Sequence, residues 1–170
     1  MRGPRRAYRG RVPTPEFILR LREHVGHDPL WLLGVTAVVV RGDEVLLTKR
    51  ADTGRWCPVA GIVEPGEHSA STAEREALEE ACVVARVERL AGVSVSPPYT
   101  YPNGDRTQYT NLTYRLAYVS GEAAVGDDES TEVRWFRTDA LPEMPERYLR
   151  RIGHALDERA DAVIDLEPEG

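Results

Sequence analysis

Cysteine, lysine and long apolar stretches are all scarce in this chain, and each scarcity removes a class of explanation. Two cysteines in 170 residues, Cys57 and Cys82, are too few for a disulfide framework and have no metal-ligand spacing. Reduced thiols in a cytoplasmic protein are therefore the expectation. Lys49 is the sole lysine among 22 basic residues; the preference for arginine and alanine fits a coding bias and carries no functional meaning. No apolar run approaches the roughly 20 residues needed to cross a bilayer. The five arginines of Met1 to Pro13 come with no apolar segment of the kind that directs secretion, so no membrane partner is expected. Positive charge is in deficit as well, with a formal net charge of −6. That argues against an extended nucleic-acid surface, and leaves a phosphate ligand to be met by a cation or a few focused arginines.

What remains is the composition of one ordinary domain, since 41% of the residues are apolar and can fill a sizeable core. Residues 1–13 read as a flexible basic arm, 14–160 as a single domain and 161–170 as an acidic, frayed tail. Thr14 is placed to cap a helix with Pro15 at its first position and Gly26 as its stop; Phe17, Ile18, Leu21 and Val25 follow at helical spacing. Leu32 to Val40 and Val45 to Thr48 flank the turn Arg41-Gly42-Asp43-Glu44 and read as a hairpin. Further on, the pattern predicts a helix over Ser69 to Ala81 and strands over Val83 to Val95, Gln108 to Ser120 and Val133 to Phe136. A loop fills Pro97 to Arg106, and an amphipathic helix closes the domain from Glu146 to about Ala160. Strands before and after a helix, with another helix at the end, imply an α/β fold whose sheet is covered on both faces.

On the first of those two later helices, Glu76, Glu79 and Glu80 stand at i, i+3 and i+4 and so share one face. Like charges at that spacing repel by a few tenths of a kcal/mol per pair, so the helix alone gains nothing from them. A bound hard cation reverses the sign. Carboxylates with water suit Mg²⁺ or Mn²⁺, which are commonly shared with substrate phosphates.

The residues Gly61, Glu67, Arg75, Glu76, Glu79 and Glu80, ending at Val83, resemble the Nudix box, Gly-x5-Glu-x7-Arg-Glu-U-x-Glu-Glu-x-Gly-U with U apolar. The likeness extends over roughly Trp31 to Leu156. It implies an α/β/α sandwich around a mixed sheet and hydrolysis of a phosphoanhydride in a small-molecule nucleotide, with Mg²⁺ as cofactor and Mn²⁺ as a substitute. By position, Glu76 and Glu80 look like metal ligands, Glu79 like a further ligand or the catalytic base, and the Gly61 carbonyl like the loop ligand. Glu67 and Arg75 look like the ion pair that ties loop to helix. Glu129, six residues before Trp135, lies where related sequences place a ligand or general base, with Asp128 in reserve; Glu132 reads as a strand residue paired with Arg134 or Arg137. Arg50 and Arg55 are candidates for substrate phosphate, since a guanidinium fork matches its oxygens, and equally for surface ion pairs.

Two departures from the pattern stand out. Cys82 occupies the usual last glycine, so the helix end is expected to be reshaped, and Ala60 replaces a glycine beside Gly61. Markers of substrate conflict: Pro98 is similar to a proline of ADP-ribose pyrophosphatases, Tyr101 to a tyrosine of dinucleoside polyphosphate hydrolases. Tyr99 and Tyr101 suit stacking on a base and equally suit the edge of a homodimer. The reading that follows is a hydrolase of nucleoside diphosphates linked to another moiety. Its alternatives are a nucleoside triphosphate or dinucleoside polyphosphate pyrophosphohydrolase and, in another class, a non-enzymatic nucleotide-sensing module.

Overall fold

A β-branched run that meets Gly42 at φ 60° turns back on itself, because glycine takes that left-handed conformation without steric cost. The resulting hairpin pairs Val40 with Val45 and Arg41 with Glu44. The computed structural model describes residues 14–158 and 161–166; the basic arm expected over 1–13 lies outside the described residues. In chain order the elements are α1 (Glu16–Val25), β1 (Leu30–Arg41), β2 (Glu44–Arg50), β3 (Trp56–Cys57), β4 (Val59–Ile62) and α2 (Ser69–Ala81). They continue with β5 (Val84–Val95), β6 (Tyr99–Thr100), β7 (Arg106–Ser120), β8 (Ser130–Arg137), α3 (Glu146–Leu156) and β9 (Val163–Ile164).

One mixed sheet runs β3-β2-β1-β7-β5-β9, with β4 on β1, β6 on β7 and β8 on β2. The two longest partners, β1 and β7, lie parallel from Leu30↔Thr107 to Val40↔Ala117. Side chains alternate between faces. Val35, Ala37 and Val39 of β1 pack with Ala73, Ala77 and Ala81 of α2, whereas Val38 and Val40 pack with Ile152 and Ala155 of α3. The expected α/β/α arrangement is what forms.

Alanines at 73, 77 and 81, all without exposure, make a smooth stripe that lets α2 lie close on the sheet. Glu80 comes three residues after Ala77, so the same periodicity carries it to the buried face, where it is 4% exposed.

Several boundaries differ from the expectation. Pro15 is the N-cap, with φ −51° and ψ 143°, and no side chain caps α1, so Thr14 has no capping role. The closing helix stops at Leu156. Val163 and Ile164 run parallel to Gly92 and Val93 of β5, so this part of the tail is tied to the sheet and not frayed. The loop expected over Pro97 to Arg106 contains β6, which pairs Tyr99 with Thr107. Among the described residues, no helix is long and apolar enough to cross a membrane.

Candidate active site

The site begins where α2 meets β4. Gly61 pairs with Val35 of β1, and the Glu76 carboxylate lies against it so tightly that a Cβ on Gly61 would fall 2.1 Å from Glu76 Oε1. Only a residue without a side chain lets that carboxylate reach the strand. Glu80, one turn later, is accompanied by Glu76, Glu129 and Asp127, whose charges add to its burial in raising its pKa well above the carboxylate range; the Ala60 backbone offers a partly compensating hydrogen bond. Among the described residues its Oε1 has no hydrogen-bond partner. Burial likewise pushes Glu76 up to about 7, and burial with the Asp127 charge does the same to Glu129. An ionised carboxylate pays several kcal/mol for such desolvation unless a counter-charge meets it.

The loop that carries Glu129 is stapled to the end of α2. Ala124 and Gly126 donate their N–H groups to the carbonyls of Ala81 and Glu80, which satisfies two of the last four carbonyls that a helix leaves unpaired. Gly126 is obligatory there, since a Cβ would come 1.9 Å from the Glu79 carbonyl oxygen. Asp127 then accepts the Glu129 N–H at 2.9 Å, and the Glu129 carbonyl accepts from Ala51 at 2.8 Å. Glu129 is thereby fixed at both backbone ends, beside the bulge at Lys49/Arg50 where β8 shifts register on β2. The reserve candidate Asp128 is exposed; Asp127 is the loop acid that joins Glu80 electrostatically, and sequence reasoning missed it. Its signal in the sequence is its place at the head of the acidic run Asp127-Asp128-Glu129.

Cys82 corrects a further expectation. The helix end is not reshaped around it; instead Cys82 itself takes φ 56°, ψ 23°, with its N–H returned to Ala77 and Leu78.

Arg75 organises the outer carboxylates. Its Nε and Nη2 grip Glu67 at 2.9 and 3.2 Å, while Nη1 lies 3.0 Å from Glu76 Oε1 and 2.7 Å from Glu79 Oε2. The guanidinium holds Glu67 below the usual carboxylate range, and the three residues tie the loop before α2 to the helix. Glu64, Pro65, Gly66, Glu67, Arg75 and Glu79 line an open depression of about 540 Å³. Among the described residues no three acidic, histidine or cysteine side chains already converge as a metal cage. The donor set nevertheless fits a hard cation: an orphaned buried oxygen on Glu80, a glycine cradle under Glu76, and mutually repelling carboxylates of hard oxygen type.

The remaining candidates lie further out. Arg50 forms a fork with Asp52, at 2.8 and 2.6 Å, so its guanidinium is engaged on its own loop. Arg55 is exposed. Tyr99 and Tyr101 stack edge to face, 4.8 Å apart, and Tyr101 Oη meets Tyr109 Oη at 3.0 Å; both rings belong to the β6–β7 turn. Glu132 pairs with Lys49 across the strands as well as with Arg134, a partner that local sequence does not reveal.

A mixed sheet between two helices, one of which lays carboxylates on a glycine strand, defines an α/β/α sandwich with one acidic face. The NUDIX domain model matches residues 31–156, and the chain belongs to the NUDIX family. The NAD-capped RNA hydrolase NudC of Pseudomonas syringae pv. syringae is 36% identical over 154 residues, covering 84% of this chain and 52% of that protein. The protein of the same name from Stutzerimonas stutzeri is 33% identical over 127 residues, 72% of this chain and 42% of its own. The chain thus spans about half the length of the curated relatives it matches. An ADP-ribose pyrophosphatase from Streptococcus suis superposes with a TM-score of 0.63 at 17% identity, over 79% of this chain and 98% of that one. A UDP-X diphosphatase gives 0.63 at 19% identity, over 88% and 74%. These two likenesses are of fold.

Proposed function

We propose that this chain is a Mg²⁺-dependent hydrolase, with Mn²⁺ as a substitute, that opens the pyrophosphate of a nucleoside diphosphate linked to another moiety. The products are a nucleoside monophosphate and the phosphorylated second moiety. The observation that carries the reading is Glu80, a buried carboxylate with an unpartnered oxygen among three further acids. Glu76, Glu80 and the Gly61 carbonyl would hold the cation, with Glu79 as a further ligand. When bound, such a cation neutralises phosphate charge and makes its coordinated water more acidic.

The chain's own residues supply the rest. Arg75 and Glu67 orient the helix against the loop and hold Glu79 in place. Glu129 is fixed by its backbone and, raised to about 7, is suited to take a proton near neutral pH; we assign it the role of general base. Arg55, and Arg50 on exchange from Asp52, would meet substrate phosphate, and the Tyr99–Tyr101 pair offers an aromatic face to a base. The substrate class is supported by the name of the relatives, because NAD is itself an adenosine diphosphate joined through its pyrophosphate to a second nucleoside.

The test is a panel of NAD⁺, ADP-ribose, UDP-glucose, dinucleoside polyphosphates and nucleoside triphosphates, each with Mg²⁺ and with chelator. Metal-dependent release of a nucleoside monophosphate from the first three is expected. Turnover confined to triphosphates or dinucleoside polyphosphates would replace the substrate class. Binding without turnover would make the chain a sensing module.

A further inference from the structure

α1 divides its residues between two faces. Ile18 and Arg22, four residues apart, belong to the inward one: Ile18 is 4% exposed, and the Arg22 guanidinium donates to the carbonyls of Gly26 at 3.0 Å, of Asp28, and of Arg106 at 2.7 Å. Those bonds fasten the helix to the start of β7. Phe17, Arg20, Leu21 and His24 stand at i, i+3, i+4 and i+7 and share the neighbouring face. With Pro65 they line a groove of about 340 Å³, within the range of roughly 300–1,000 Å³ typical of small-ligand sites. Pro65 also borders the acidic depression of Glu67, Arg75 and Glu79. One extended ligand can therefore reach from the carboxylates across Pro65 onto α1. The helix lies ahead of residues 31–156, which match the NUDIX model, so the groove is an addition to the matched domain.

The lining selects a flat ring with a polar edge. Phe17, Leu21 and Pro65 supply apolar contact, and Leu21 is 43% exposed. Arg20 meets Glu16 at 3.9 Å on the surface, a loose pair that holds its partners weakly and leaves the guanidinium able to lie over a π-face. His24 Nδ1 lies 2.9 Å from the Arg20 carbonyl. A carbonyl only accepts, so Nδ1 carries the hydrogen and the neutral imidazole keeps Nε2 as an acceptor for an N–H. A bare phosphate or a sugar would leave the apolar surface unused, whereas a heteroaromatic ring with an amide or amino group uses every part.

We infer that this groove is the subsite for the second moiety of the substrate, and that this moiety is a nucleoside whose ring lies on Phe17, Leu21 and Pro65. The inference rests on the hydrolase reading above, in which the Tyr99–Tyr101 pair takes the base of the first nucleoside. It narrows the substrate class from nucleoside diphosphates with any second moiety to dinucleotides.

Leu21→Glu places a charge in the groove and Arg20→Ala removes the guanidinium; both side chains are exposed, so the fold should tolerate each change. NAD⁺ and ADP-ribose differ by one aromatic ring. Both variants should raise the ratio of KM for NAD⁺ to KM for ADP-ribose by about tenfold, the scale on which one stacked ring contributes. Nicotinamide mononucleotide has no phosphoanhydride to break, so its binding is read independently of turnover. In saturation-transfer NMR its ring protons should take up saturation from the wild type, with affinity about tenfold weaker in either variant. An unchanged KM ratio together with unchanged mononucleotide binding overturns the inference and leaves the hydrolase reading standing. Loss of self-association in Leu21→Glu, with the ratio unchanged, also overturns it and makes the groove a contact between copies of the chain. Mononucleotide binding that both variants weaken, in a wild type that hydrolyses nothing, supports the subsite and counts against the hydrolase reading alone.

Discussion

Glu80 is a buried carboxylate with an orphaned oxygen, a standing cost to the metal-free fold and an asset only with a cation beside it. Glu80→Gln keeps the size and removes the charge. Turnover is expected to fall by about two orders of magnitude or more, the scale on which an electrostatic element of catalysis is lost. The metal-free variant should melt no lower than the wild type, because function and stability are opposed at such a site. Steady-state kinetics and calorimetry check both halves; wild-type turnover would remove Glu80 from the site. Much of this shell is legible in the sequence, since i, i+3 and i+4 spacing is a local property of α2. Asp127 and the Lys49–Glu132 pair are not, because each depends on which segments the fold brings side by side.

At the scale of elements, the end of α2 carries an avoidable strain. Cys82 sits in the left-handed region, where a side chain costs roughly 1 kcal/mol or more relative to glycine. Cys82→Gly should therefore raise stability by about 1 kcal/mol, or about 2–4 °C in melting temperature for a chain of this size, with Glu80 still held inside the helix. A lower melting temperature would show that packing of the Sγ, which lies 3.3 Å from a Cβ built on Gly126, outweighs the strain. The long elements are readable from periodicity: α2 begins and ends at the expected residues, and the hairpin of β1 and β2 turns where Gly42 requires. β3, β6 and β9 are two residues each, too short for any period. β3 and β6 pair with nearby stretches of β2 and β7, and β9 with the distant β5; each exists because its partner offers an edge, and that information is absent from its own residues.

For the whole molecule, proton binding at the acidic site is linked to stability and, on the proposed function, to metal binding. The ordinary value of 4.5 for Glu76 and Glu129 becomes about 7 in the fold. A group raised in this way supports the fold fully below its ordinary value, and that support is lost as pH rises through about 7. Metal-free protein should thus melt lower at pH 8 than at pH 6. Mg²⁺ competes with the same protons, so it should raise the melting temperature more at pH 8 than at pH 6, by mass action on the folded state. A melting temperature indifferent to Mg²⁺ at pH 8 would count against the site. That dependence has a limit set by Arg75, whose guanidinium touches Glu67, Glu76 and Glu79 at once. The helix carries its own provisional counter-ion through synthesis and folding. Small zinc modules stay unfolded until their ion arrives, whereas a copy of this chain made without a divalent cation should still reach its native shape, with Arg75 bridging Glu67, Glu76 and Glu79 in the ion's place.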